Sequence, residues 1–205
     1  INFGLRGGWY SGGVEFNFPR GHTVIATETL PAILRRYPSG ASAAIVGGID
    51  LTRRVGWSIG VRLEPGCSSI HFDIFLYNRT SMPINYSWWL NASIPPSPEL
   101  EYTNGTTEVR AHFLGRREHL GEPFNWPLHE KNDYRWYSQC AEPTSLFQLA
   151  GDERWFGYYL HDQDEGVVRI GSAADAPGLK FWNSGQVEEG YLWGKYQTCG
   201  ERYSN

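Results

Sequence analysis

The sequence predicts an all-β, antiparallel fold of the sandwich or barrel kind. Three observations carry that expectation. Apolar residues alternate at a period of two over most of residues 55 to 94. Turn residues interrupt the runs at short, regular intervals. No twelve-residue stretch repeats at the helical period, and no internal repeat or low-complexity tract is present. Strands at short spacing with turns between them build antiparallel sheets.

The elements follow in order. Residues 43–51 form a β-compatible run. Residues 55–64 alternate through Trp57, Ile59, Val61 and Leu63, and residues 68–78 through Ile70, Phe72, Ile74 and Leu76. Residues 84–94 alternate through Ile84, Tyr86, Trp88 and Leu90, which puts Asn85, Ser87, Trp89 and Asn91 on the other face. Arg53-Arg54, Pro65-Gly66 and Met82-Pro83 mark the turns. A helical turn is expected over 29–37, with Pro31 at a first helical position. Further strands are expected at 107–114, 144–150, 154–161, 166–171 and 179–183. Residues 95–106 and 115–132 read as long loops, where binding groups concentrate on a rigid scaffold.

Composition bounds the function. A chain of 205 residues is read as one domain, 1–205, able to bury about 70% of its unfolded surface. A net charge of -4 without a long run of one sign argues against nucleic acid as a partner. No run of 18 apolar residues exists, so no membrane insertion is expected. The chain opens at Ile1 without a leader pattern, so any signal peptide is expected to be absent or already removed. Cys67, Cys140 and Cys199 form no CxxC pair, and reduced, buried thiols are expected in a cytoplasmic rather than a secreted setting. The sequons at Asn78, Asn85, Asn91 and Asn104 read as chance. No phosphate loop or dinucleotide fingerprint appears, and the His161-x-x-Asp164 spacing, which could hold a divalent cation, has no third and fourth ligand, so no cofactor is expected.

The aromatic content, nine Trp, twelve Tyr and ten Phe, suits wide β cores and sugar clefts alike. Residues 6 to 23 combine glycines, which let a ligand approach the backbone, with Arg6, Trp9, Glu15, Asn17 and His22. Glu15 stands between Val14 and Phe16, and a carboxylate there is paired, functional or exposed at a strand edge. His22 could donate or accept a proton near neutrality. Asp133 and Arg135 could bind hydroxyls while Trp136 stacks on a sugar ring; the alternative is an ion pair over an aromatic corner. His161 sits in a polar stretch, residues 160–166, that also reads as a solvated turn. Trp182, Trp88 and Trp89 are candidate sugar platforms, and Glu142 before Pro143 is held extended. Glycoside hydrolysis needs two carboxylates, for which Glu15 is the first choice and Asp133 and Glu142 compete as the second. No nucleophile elbow supports a serine triad.

These motifs also carry a resemblance. The run Tyr77-Asn78-Arg79-Thr80-Ser81-Met82-Pro83 with Trp88-Trp89-Leu90-Asn91, and Arg6-Gly7-Gly8 followed by Gly21-His22, are distantly similar to the galactose mutarotase-like (aldose epimerase) superfamily. More closely, Gly13 to Pro19, Gly21-His22-Thr23, Trp88 to Asn91, Glu142 to Phe147 and Asp164-Glu165-Gly166 resemble a bacterial domain family of unknown function that often precedes tetratricopeptide repeats. The resemblance implies an antiparallel β-supersandwich, incomplete in this chain, within a longer protein. It implies a mono- or oligosaccharide as ligand, and association with tetratricopeptide repeats or a further chain that completes the sheets. Where the mutarotase strand carries a catalytic His, this chain has Ser87, Trp88 or Trp89. Glycoside hydrolysis is therefore the leading expectation, with a mutarotase-like isomerase or a non-catalytic sugar-binding module as alternatives.

Overall fold

A computed structural model describes residues 14–19, 29–94, 97–105, 108–113, 121–140, 144–148, 155–172, 174 and 178–183. The described residues are nearly all β, and their one helical element is a single 3-10 turn, Tyr137–Gln139. The chain forms two compact units, a first built on Glu15–Leu90 and a second built on Asn91–Asn205.

The first unit holds a four-stranded antiparallel meander. β2 (Ala32–Arg36), β3 (Ser42–Asp50), β4 (Val55–Leu63) and β5 (Ile70–Asn78) lie in that spatial order. The register pairs Trp57 with Leu76, Ile59 with Ile74, Val61 with Phe72 and Leu63 with Ile70. The two alternating apolar sets of the sequence therefore share one face, as a period of two requires. Asp50 stops β3: its carboxylate accepts the Arg53 N–H at 2.9 Å, and Arg54 takes a left-handed φ of 58° in the turn. β1 (Val14–Asn17) pairs with β6 (Trp89–Ala92) as a two-stranded ribbon. Phe16 of β1 meets the Phe72 ring edge-on at 5.3 Å and stacks on Trp88 at 5.9 Å.

The second unit is a sandwich of two antiparallel sheets. One contains β14 (Glu165–Ile170), β13 (Trp155–Leu160) and β7 (Leu100–Asn104), in that order. The other contains β15 (Leu179–Asn183), β12 (Thr144–Gln148), β8 (Glu108–Phe113) and β9 (Glu122–Asn125). Alternation points Leu100, Tyr102 and Leu160 from the first sheet, and Val109, Ala111, Leu146 and Phe181 from the second, into one buried cluster. Tyr102 and Phe181 stack at 4.1 Å between ring centroids, and Phe156 stacks on Phe181 at 5.4 Å. Each such pair adds about 0.5–1.5 kcal/mol beyond the area it buries. A short hairpin, β10 (Leu128–His129) and β11 (Asn132–Asp133), leads into the 3-10 turn, whose Tyr137 joins the cluster.

The structure corrects several expectations. Residues 29–37 hold no helical turn: Ala32–Arg36 pairs along β3, where β-branched and aliphatic residues fit a pleated neighbour. Residues 84–88 are not a strand; the ladder covers Trp89–Ala92, because apolar alternation without a ladder partner does not make a sheet. The segments 95–106 and 115–132 are not plain loops, since they supply β7, β9 and β10. Both described thiols are free, but Cys67 is exposed rather than buried.

Two outcomes follow from this packing. Leu146→Ala removes a side chain 2% exposed at the sandwich centre and should cost about 2–5 kcal/mol in urea unfolding, whereas Leu34→Ala, 84% exposed, should change it by about 0.5 kcal/mol or less. Burial pushes the Cys140 thiol up to about 12, so iodoacetamide at pH 8 should alkylate Cys67 and spare Cys140 until the protein unfolds, as peptide mass spectrometry would read.

Candidate functional site

The second unit gathers four of the sequence-nominated residues, Asp133, Arg135, Trp136 and His161, around one edge of a sheet. The construction starts at the β10–β11 hairpin, which turns through Glu130 in a left-handed φ of 55°. Asp133 then closes an Asx turn by accepting the Arg135 N–H at 3.1 Å. The same carboxylate takes the Arg135 guanidinium as a fork, with Nε donating at 3.0 Å and Nη2 at 2.6 Å. This fixes the backbone of residues 133–135.

The next residues are stitched to β7. The Tyr102 N–H donates to the Arg135 carbonyl at 2.7 Å, and Trp136 forms an antiparallel bridge with Glu101. The Trp136 carbonyl accepts the Cys140 thiol at 3.6 Å. Trp136 is thus held half-buried beside the outward face of β7.

The other wall comes from the β13–β14 hairpin. Tyr159 pairs with Glu101 across the sheet, and His161 lies just past the end of β13. The His161 ring sits 5.3 Å from Trp136 and 4.8 Å from Tyr159, and its Nε2 lies 2.8 Å from Glu101 Oε2. Asp164, in a left-handed φ of 54°, accepts the Tyr159 hydroxyl. Ser97 ties this turn down by donating to Asp162 at 3.0 Å. The result is an open corner with two aromatic rings, an imidazole, a guanidinium and the carboxylates of Asp133, Glu101 and Asp164.

The electrostatics favour an ionised Asp133–Arg135 pair and a neutral Tyr159 phenol. The Arg135 hydrogen bonds hold the Asp133 carboxyl below its ordinary range, against a smaller opposing effect of burial. Arg135 is raised by Asp133 and, at longer range, by Glu101. Asp164 raises the Tyr159 phenol through their hydrogen bond. Among the described residues no group of three or more His, Cys, Asp or Glu could hold a metal ion.

The other described candidates belong to other elements. Glu15, half-buried, and Asn17, 5% exposed, stand on β1 in the first unit; Trp88, just before β6 in the same unit, has its ring stacked on Phe16. Trp89 is half-buried at the start of β6. Trp182 is 9% exposed on β15, so its ring is packed away rather than laid open. Arg6, His22 and Glu142 lie outside the described residues. Sequence reasoning missed Glu101 and Tyr159, and met Asp164 only through its His-x-x-Asp spacing to His161. Tyr159 stands two residues from His161 in a stretch read as a strand, and that spacing was the available signal.

Comparison with known proteins adds a family and a fold. A family model described as "Domain of unknown function (DUF5107)" matches residues 1–202. A crystal structure of a TPR-domain containing protein from Parabacteroides distasonis ATCC 8503 is similar at 18% identity with a TM-score of 0.79. The match covers 96% of this chain and 32% of that one, so the chain spans about a third of that protein's length.

The Asp133–Arg135 pair sets a pH expectation. Its carboxylate is depressed on folding, so its contribution is complete above the unfolded pKa and is lost as pH falls through the folded one. Asp133→Asn should lower stability near neutrality by about 1 kcal/mol or less, since the Arg135 side chain is 45% exposed to screening solvent. Urea titrations should show the gap between variant and parent closing below roughly pH 4.

Proposed function

Since the chain belongs to the DUF5107 family, a domain of unknown function, its activity has to be read from its own residues, and we propose that it is a carbohydrate-active domain that binds a mono- or oligosaccharide at the Trp136 corner. The observation that carries this reading is the convergence of Asp133, Arg135, Trp136, Tyr159, His161 and Glu101 on one accessible edge. A sugar ring presents an apolar C–H face and a rim of hydroxyls. Trp136 and Tyr159 supply ring surface for the former. For the latter, Arg135 supplies donors, and Asp133 and Glu101 supply acceptor oxygens. The corner is held rigidly by backbone bonds to β7, so little ordering is left for the ligand to impose.

Glycoside hydrolysis is the second reading, and the ionised state of Asp133 favours it. A carboxylate held low suits a nucleophile or base and not a general acid. A mutarotase-like isomerisation would ask less, one acid and one base. The tetratricopeptide-repeat protein with a similar fold supports the idea that such domains work beside repeats, which could present the saccharide's carrier.

Trp136→Ala should weaken binding of any saccharide retained on a glycan array by tenfold or more, about 1.4 kcal/mol, in titration calorimetry. A parent protein that binds no glycan, or a variant that binds as tightly, removes this site. Asp133→Asn separates the two readings: release of reducing sugar should collapse, while binding at the corner, to which the amide oxygen still offers an acceptor, should persist.

A further inference from the structure

The second unit contains a small cleft between its two sheets, away from the Trp136 corner. Its walls are Val109, Leu146 and Phe181 from one sheet and Phe156 and Asn104 from the other, with Gln148 at its polar end. Gln148 lies on the central strand β12, between Val109 of β8 and Leu179 of β15 in register. It is only 6% exposed, and neither Oε1 nor Nε2 has a hydrogen-bond partner among the described residues.

A buried carboxamide with both ends unmet is strongly disfavoured. Leucine or methionine would fill the same position without that penalty. The side chain needs a ligand that both donates and accepts. The size of the cleft decides which. Its volume is about 10 Å³. Metabolite pockets start at roughly 300 Å³, whereas one water needs about 10–15 Å³ on the same measure. Asn104 brings a second polar side chain to the opposite wall, and a buried water needs two to four polar partners.

We propose that this cleft is the binding site of one ordered water molecule, held between Gln148 of β12 and Asn104 of β7. The water bridges the two sheets at a place where their aromatic layer leaves a gap. Gln148 is then a core residue by virtue of the water it holds, and the site is independent of any sugar bound at the corner.

Two measurements test this. In the parent protein, the assigned Gln148 carboxamide protons should show cross-relaxation to a long-lived water, and a high-resolution crystal structure should place that water about 3 Å from both amide atoms. A Gln148 amide paired to protein atoms, or one turned out to bulk solvent, overturns the proposal. Gln148→Leu should lose the water signal and lower Tm by a few degrees, because the bridge between sheets goes with it. A Tm equal to or above that of the parent means that the amide was unmet and the cleft dry, and also overturns it.

Discussion

Tyr102 joins the core of the second unit to its candidate site. Its ring is fully buried and stacked on Phe181, which ties the sheet of β7 to the facing sheet of β15. Its backbone N–H reaches the other way and holds the Arg135 carbonyl. One residue thus sets the spacing of the sandwich and the position of the aromatic corner. Strand alternation turns its neighbour Glu101 outward, where Glu101 meets His161. Loosening the ring stack would therefore move β7 and everything stitched to it.

The corner gains definition from local polar bonds rather than from burial. Arg135 could have been a free surface cation, but Asp133 two residues earlier captures it as a fork. An exposed ion pair of this kind contributes little to stability. Its effect is geometric: it fixes the turn from which Trp136 is presented. The Ser97–Asp162 and Tyr159–Asp164 bonds do the same for the hairpin on the other side. Polar residues with small energies and strict geometry are the usual means of positioning a binding surface.

The strands that read most clearly from the sequence are β4 and β5, whose alternating apolar sets share one face. Their period is visible because one face meets apolar neighbours and the other does not. β7, β9 and β10 were hidden because they are short and carry Asn, Glu and Pro among their apolar residues. The stretch 84–88 erred the other way, since alternation there reflects separate ring contacts such as Tyr86 on Phe18. The sugar-type residue chemistry of 132–137 and of His161 was legible locally. Their meeting was not, because 24 positions separate His161 from Tyr137 and no periodicity spans that gap.

By itself the sequence determined the all-β class, the principal strands and the polar-aromatic segments with potential for chemistry. These depend on local preference and on alternation, which are written residue by residue. Only the tertiary structure decided that Trp136 and His161 share a corner, that Glu101 belongs with them and that Trp182 is packed away. Those outcomes depend on strand register and on which sheets face each other. Register is a long-range property: a shift of one residue reverses every side chain's face, and only the complete set of pairings selects among the alternatives.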